Sequence, residues 1–153
     1  MIEEIDRRIA VAMARVRHAL RATLSRLITS GPVALVQADA LSGEQLQAAE
    51  LMQHYGFTSA PPAGALLLVV PVGGRTAHGV VVADEHAAFR IRNLPQGEVA
   101  IYTDEGDHIR LKRGRVVEIS TQTLNVIATT AVNITTPTLT VTAAAAVNLT
   151  TPT

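Results

Sequence analysis

The carboxy-terminal part of the chain repeats a heptapeptide: Val132-Asn-Ile-Thr-Thr-Pro-Thr138 returns fifteen positions later as Val147-Asn-Leu-Thr-Thr-Pro-Thr153. The 35 residues from Ile119 to Thr153 contain twelve threonines and no charged side chain. Internal periodicity of this kind indicates a fibrous or solenoidal β-structure, in which each copy buries its apolar face by stacking on its neighbours. A catalytic domain is therefore not the first expectation for this region.

A finer repeat of apolar pairs runs through the same region and begins upstream of it. Within each pair a single residue separates two apolar side chains, so both lie on one face of a strand. Successive pairs begin 8, 7, 8, 7 and 8 residues apart, and the pairs are Ile109/Leu111, Val117/Ile119, Leu124/Val126, Val132/Ile134, Leu139/Val141 and Val147/Leu149. Each unit is predicted to be a short strand followed by a turn. Because one such strand buries only two side chains, either the chain coils on itself or several chains wind together.

Composition limits the remaining possibilities. The chain has 153 residues, a formal net charge of zero, 48% hydrophobic residues, 3% aromatic residues and neither Cys nor Trp. The absence of Cys excludes disulfides, thiolate zinc sites and cysteine nucleophiles. The longest apolar stretch, Ala65 to Val72, is far shorter than the ~20 residues of a membrane span, and the amino terminus lacks a secretory n-region. We expect a soluble protein that is not exported by the Sec route.

The amino-terminal 30 residues are predicted to form one amphipathic helix that ends at Ser30-Gly31-Pro32. Three acidic residues precede six arginines, which complements the helix macrodipole. The apolar stripe has helical spacing and repeats every eleven residues, at positions 2, 13 and 24. It consists of Ile2, Ile5, Ile9, Met13, Val16, Leu20, Leu24 and Leu27. The stripe requires a partner, either its own domain or another protein surface.

Residues 31–107 are predicted to form a small β-barrel of five or six strands, with the OB-fold as the commonest example. Gln45 to Gln53 fits a helix by pattern, although its alternation also allows a strand. The predicted strands are Val33–Ala38, Ala65–Val70, Gly79–Ala83, Phe89–Asn93, Glu98–Thr103 and His108–Lys112.

Several groups of residues invite a chemical interpretation, and the sequence supports none of them. Asp104-Glu-Gly-Asp-His108 lacks the distal bidentate Glu of a calcium loop and is predicted to be a solvated hairpin turn. Asp84-Glu85-His86 offers three consecutive side chains that cannot converge on a metal in extended backbone, so we predict an exposed turn. The chain has no nucleophile elbow and no phosphate-binding glycine loop. We therefore expect no enzyme activity, no cofactor and no catalytic or metal-ligating residue.

The central sequence nevertheless carries a family resemblance. The segments are His54-Tyr-Gly-Phe-Thr-Ser-Ala-Pro-Pro-Ala-Gly64, Val72-Gly-Gly-Arg75, Gly97-Glu-Val-Ala-Ile-Tyr102 and Asp107-His-Ile-Arg-Leu111, together with Ile5-Asp-Arg-Arg8. They resemble the baseplate assembly protein V family, the central spike of Mu-like contractile-tail phages. The resemblance implies a virion protein made in the host cytoplasm. It also implies a homotrimer, with an OB-like domain near the baseplate hub and an intertwined triple-stranded β-helix that points at the host envelope.

The expected fold is therefore mainly β, with a helix at 1–30, an OB-like barrel at 31–107 and a spike shaft at 108–153. In a trimer, the shared axis would be filled by Ile109, Leu111, Val117, Ile119, Leu124, Val126, Val132, Ile134, Leu139, Val141, Val147 and Leu149. The expected function is structural: the spike transmits the force of sheath contraction and pierces the outer membrane. The expected partners are the hub protein, then the tail tube or tape measure, and no nucleic acid.

The tip is one departure from the family pattern. Related spikes often end in a tip that binds iron through paired histidines, whereas no His follows His108 here. We therefore predict no metal. Either a separate tip protein completes the spike, or this is a shortened form.

Two alternatives differ from the spike in class. The first is a single-chain Thr-rich solenoid with a surface- or ice-binding face, suggested by alternate threonines at 138, 140 and 142, although Ala143-Ala-Ala-Ala146 does not renew the array. The second is an OB-fold nucleic-acid binder. Such proteins use basic grooves with stacking aromatics, but the central region has few aromatic residues and nearly balanced charges.

Overall fold

The fold contains one helix and eight strands in the described part of the chain. A computed structural model describes residues 2–150 apart from Arg15 and Arg17, so Pro152 and the other carboxy-terminal residues of the last repeat lie outside the described residues. The elements are α1 Ile2–Ala14, β1 Leu20–Ile28, β2 Ala34–Ala40, β3 Gln45–Leu51, β4 Leu66–Pro71, β5 Gly79–Glu85, β6 Val99–Tyr102, β7 His108–Lys112 and β8 Val116–Ser120. Short 3-10 turns follow β2 and link β4 to β5.

The first five strands close into a small barrel in the order β1-β2-β3-β5-β4, and β4 pairs with β1. All pairs are antiparallel except β3 with β5, which run parallel. The prediction of a small barrel is confirmed, and Gln45–Leu51 is a strand rather than a helix. Closure leaves no free strand edge within the barrel, which removes a common route to aggregation.

Alternation along the strands separates core from surface. On β4, Leu67 and Val69 are completely buried, whereas the side chain between them, Leu68, is exposed. This period of two follows from the pleat of a strand. The barrel core consists of Ala22, Leu24, Val36, Ala38, Leu46, Ala49, Leu51, Ala65, Leu67, Val69 and Val81.

Three register shifts help the short strands to curve. The extra residue lies on β1 between Leu24 and Arg26, on β3 opposite Val36/Ala38, and on β5 opposite Leu68/Val69. A bulge bends its strand and increases the local twist, which a five-stranded barrel needs to close. At the first of them, the Ser25 hydroxyl donates a hydrogen bond to the Gln37 carbonyl oxygen at 3.0 Å.

The prediction of one helix from residue 1 to residue 30 is wrong. The helix ends at Ala14, and Leu20–Ile28 is the first barrel strand. The register shift after Leu24 explains the error. Leu20, Ala22 and Leu24 alternate as a strand requires, and the extra residue at the bulge lets Leu27 return to the inner side. The resulting spacing of Leu20, Leu24 and Leu27 imitates that of a helix.

The last three strands form a separate antiparallel sheet in the order β6-β7-β8. The predicted strand at Phe89–Asn93 is wrong, because those residues form turns in which the Phe89 and Arg90 amides donate to the His86 carbonyl at 3.1 Å. The compact unit continues to Thr121, and residues 122–153 form a second unit. The predicted boundary between barrel and shaft at 107/108 therefore lies inside the β6–β7 connection.

No helix in the described part of the chain combines the length and the apolar character needed to cross a membrane.

The alternation on β4 generates a stability prediction. We expect Leu67→Ala to lower the free energy of unfolding by about 2 to 5 kcal/mol, because it removes completely buried methyl groups and leaves a cavity. Leu66→Ala is the matched control, since this neighbouring side chain is 44% exposed, and a surface change of this kind costs only about 0.5 kcal/mol. Urea denaturation followed by circular dichroism, at one protein concentration, measures both. Equal losses would contradict the assigned orientation of β4.

Candidate interaction surface

One face of the β6-β7-β8 sheet is entirely apolar. Residues directly opposite each other in antiparallel strands point to the same side. The register aligns Val99 with Leu111 and Val117, and it aligns Ile101 with Ile109 and Ile119. These six side chains, here called the apolar face, are between 42% and 62% exposed in the single chain.

The opposite face of the sheet is charged and internally paired. The Arg110 guanidinium lies 3.3 Å from a Glu98 carboxylate oxygen, and the Lys112 ammonium lies 3.1 Å from the Glu118 carboxylate. His108 approaches the other oxygen of Glu118 at 3.7 Å. The hydrogen bond and charge of Lys112, with a smaller effect of His108, hold the pKa of the Glu118 carboxyl below its ordinary value. The charged groups of this face are therefore arranged in complementary pairs.

The exposure of the two faces is the reverse of that in an ordinary surface sheet. The charged residues at positions 98, 108, 110, 112 and 118 are half-buried, whereas all six members of the apolar face are exposed. A soluble antiparallel sheet normally packs its apolar side on a core and leaves its polar side in water. A contiguous exposed apolar surface of this kind marks an interaction site.

Glu98 is the residue that holds the charged face together. Its side chain is only 6% exposed, and it accepts hydrogen bonds from Arg110 and from the backbone amide of Arg113, the latter at 2.9 Å. The Arg113 guanidinium also donates to the Gln96 carbonyl. These bonds fasten the turn after β7 to the segment before β6. Gly97, between the two anchor points, has φ 84° and lies under the Arg113 side chain, so another residue there would be strained and crowded.

The repeat region continues the apolar pattern without an internal partner. In the described residues 122–150 no helix or strand is formed, and every residue is exposed. Local contacts shape the turns: near Pro137 the Thr136 hydroxyl donates to the Thr138 carbonyl at 2.9 Å. The eight apolar pair members of this region, Leu124, Val126, Val132, Ile134, Leu139, Val141, Val147 and Leu149, are between 57% and 93% exposed.

The twelve predicted core positions therefore fall into two groups. Four of them, Ile109, Leu111, Val117 and Ile119, are brought together on the apolar face by β7 and β8. The other eight lie in the second unit, residues 122–153, and are exposed there.

Val99 and Ile101 belong to the apolar face but are not among the twelve predicted core positions. They form another pair with one residue between, on a strand that was predicted at Glu98–Thr103. The pair begins ten residues before Ile109, outside the seven- or eight-residue spacing, so the period excluded it. The alternation itself was the signal that would have identified it.

Of the two acidic segments singled out in the sequence, the one at residues 84–86 does not form the predicted turn: Asp84 and Glu85 are exposed residues at the end of β5. Residues 103–107 form the β6–β7 turn, in which the Thr103 amide donates to the Asp107 carbonyl at 3.0 Å, and the prediction of a hairpin turn is confirmed. His86 lies 3.4 Å from the Ala63 carbonyl oxygen, and its ring stacks on Phe89 with centroids 4.4 Å apart. Partial burial raises the pKa of the neighbouring Asp84 carboxyl. Within the described residues, no group of three or more His, Asp or Glu side chains has a metal-binding arrangement.

Open clefts border these loops. One of about 640 Å³ is lined by Gly64, Leu66 and the segment from Arg90 to Leu94, where Arg90 pairs with Glu85 at 3.0 Å. Another of about 530 Å³ lies between Thr58–Pro62 and the strand residues Ala100–Tyr102. Among the lining residues of these two clefts, no nucleophile is paired with a general base.

The barrel, the apolar face and the uncharged repeat together define the class: a small-barrel domain with an exposed apolar sheet surface, followed by an uncharged repeat. The sequence model of the family described as Bacteriophage Mu Gp45, N-terminal, matches residues 21–88, which contain almost all of the closed barrel.

Two curated relatives extend the match beyond the barrel. The chain is 35% identical over 126 residues to the baseplate puncturing device gp45 of Escherichia phage Mu. The matched region covers 81% of this chain and 64% of that protein. It is 30% identical over 129 residues to the Mu-like prophage FluMu protein gp45 of Haemophilus influenzae, which covers 78% and 70%. The chain thus spans just under two thirds of the length of the Mu protein. It belongs to the Mu-like gp45 family of baseplate proteins, so the resemblance found in the sequence is confirmed.

Family membership favours neither the Thr-rich solenoid nor the nucleic-acid-binding barrel.

The Glu98 contacts generate a second stability prediction. We expect Glu98→Ala to cost about 1.5 to 3 kcal/mol of unfolding free energy, because it removes the acceptor of charge-assisted bonds and leaves Arg110 poorly solvated. Glu85→Ala is the control, since its pair with Arg90 is exposed on both sides and should contribute about 0 to 1 kcal/mol. Urea denaturation compares them, and a loss for Glu85→Ala that matched Glu98→Ala would contradict the anchoring role of Glu98.

Proposed function

We propose that the chain is one subunit of a homotrimeric baseplate spike of a contractile phage tail or tailocin. The spike attaches to the baseplate hub and pierces the host outer membrane when the sheath contracts. Membership of a family that includes a baseplate puncturing device supports this role. The single observation that carries the trimer is the exposed state of all twelve repeated apolar side chains in the isolated chain.

The second unit, residues 122–153, has the properties expected of one chain in an intertwined β-helix. Its backbone forms no strand pair in the described residues 122–150, so pairing of this segment as strands is left to other chains. Its apolar pairs recur every seven or eight residues, so each strand unit would direct one pair toward a common axis. Burial of one such side chain contributes ~1.5 to 3 kcal/mol before entropy is subtracted. Twelve of them per chain make association of several copies favourable.

The β6-β7-β8 sheet offers a second surface for association of copies. Its apolar face contains Val99 and Ile101 in addition to four of the twelve predicted core positions, and its other side carries paired charges. We therefore add Val99 and Ile101 to the proposed core.

The mechanical role follows from this construction. A β-helix of three chains has every strand edge bonded to a neighbour, so it resists bending and unfolding along its length. No covalent chemistry is required of a spike that transmits force. The partners are the other two subunits, the hub protein and, through it, the tail tube or tape measure, with a separate tip protein where the shaft needs one.

The trimer is tested by a charge placed in its axis. Val141→Asp would bury three carboxylates side by side, each with a desolvation cost of several kcal/mol. We expect this variant to lose the trimer, or to form one that dissociates at much lower temperature, as measured by light scattering during heating.

Thr140→Asp provides the matched control, because residue 140 is adjacent and points to the opposite side of the strand. It should remain trimeric with nearly unchanged heat resistance. A monomeric intact protein, or equal behaviour of the two variants, would overturn the proposal.

Antibodies raised against the intact chain should also label the baseplate end of contractile tails, and labelling confined to another part of the particle would contradict the spike role.

A further inference from the structure

The amino-terminal helix carries an apolar stripe that no described residue of the chain covers. All described side chains from Ile2 to Met13 are exposed, and Ile2, Ile5 and Ile9 are between 50% and 75% exposed. A helix of 13 residues is marginally stable in water unless its apolar side packs on something. The stripe therefore indicates a partner outside this chain.

Once the helix is bounded at Ala14, its spacing becomes that of a short coiled coil. Ile2, Ile5, Ile9 and Ala12 follow each other at intervals of 3, 4 and 3 residues, which are successive a and d positions of a heptad. The eleven-residue period predicted for the longer helix does not apply, because Leu24, its third member, belongs to β1. Isoleucine at both a and d favours bundles of three or four parallel helices over two.

Charge on the two sides of the stripe is complementary. Asp6 and Arg8 occupy the e and g positions, one on each flank. In a cyclic parallel bundle the e flank of each helix faces the g flank of the next, so opposite charges meet around the ring. The axial offset of two residues is about 3 Å, which a long arginine side chain spans.

In the single chain, ion pairs within the helix involve both Arg7 on the outer surface and Arg8 on the g flank. Glu4 pairs with Arg7 at 3.1 Å and with Arg8 at 3.0 Å, at intervals of three and four residues. These pairs stabilise an outer helix surface that faces solvent.

We infer that the amino-terminal helices of three copies pack together as a parallel three-helix bundle through Ile2, Ile5, Ile9 and Ala12. This inference rests on the proposed function, because the number of helices in the bundle is set by the three chains of the proposed spike. About two heptads are too short to hold three chains together alone. The shaft supplies the high local concentration that makes the helices associate. The second and third copies of this chain are thus the occupants of the stripe.

The chain contains no cysteine, which makes site-specific cross-linking direct. In the full-length protein, Ile5→Cys places one thiol per chain at the centre of the bundle, and treatment with a short bis-maleimide should join neighbouring copies. Because a trimer has three thiols and each linker joins two, at most about two thirds of the chains should become covalent dimers. Denaturing electrophoresis measures this fraction at high dilution, where collisions between separate particles are rare.

Arg7→Cys is the control, since residue 7 lies on the outer surface and its side chain is 76% exposed. It should give little cross-linking under the same conditions, and Ile9→Cys should behave like Ile5→Cys. A protein that is trimeric by light scattering but cross-links no better at residues 5 and 9 than at residue 7 overturns the bundle and leaves the spike intact. A monomeric protein overturns both.

Discussion

Apolar side chains that recur without a partner in their own chain are the constraint on which the rest of the structure depends. Each strand unit after residue 108 offers two aliphatic side chains, too few to form a core by themselves. The hairpin of β7 and β8 gathers four of them, and β6 adds two more, yet the resulting face is exposed. Beyond Thr121 the chain forms no strand pair in its described part. The free energy that would stabilise this region has to come from other molecules.

The barrel has the opposite character, because it satisfies itself. Its eleven core residues are buried within one chain, its strands close on themselves, and bulges supply the curvature that closure needs. The family match to residues 21–88 falls on this part. A self-contained barrel would give each subunit of the proposed trimer a folded unit before assembly, while the apolar face and the repeat would supply the surfaces for association.

Much of this organisation was predictable from the sequence. The hydrophobic run of β4 and the alternation of β2 identified the barrel, and the apolar pairs identified the surface that remains exposed. Strand β1 was missed because the residue added at the bulge after Leu24 gives its inward side chains a helical spacing. Phe89–Asn93 has the composition of a strand but forms turns anchored on His86. Pairing between distant strands decides such cases, and a single local pattern does not contain that information. The number of chains in the proposed assembly likewise depends on contacts between chains, which the sequence of one chain does not specify.

The distribution of charge follows from the same division. The last charged residue is Glu118, on β8, where Lys112 of β7 pairs with it inside one chain. The compact unit ends three residues later, at Thr121. Where a strand has a partner of its own chain, opposite charges are placed side by side and stabilise each other. In the proposed trimer, a charged residue directed at the axis would instead face two copies of itself, and like charges at such distances repel. The uncharged side chains at the axial positions from Ile119 onward are therefore what threefold winding requires, whereas an outward-pointing charge would remain in solvent.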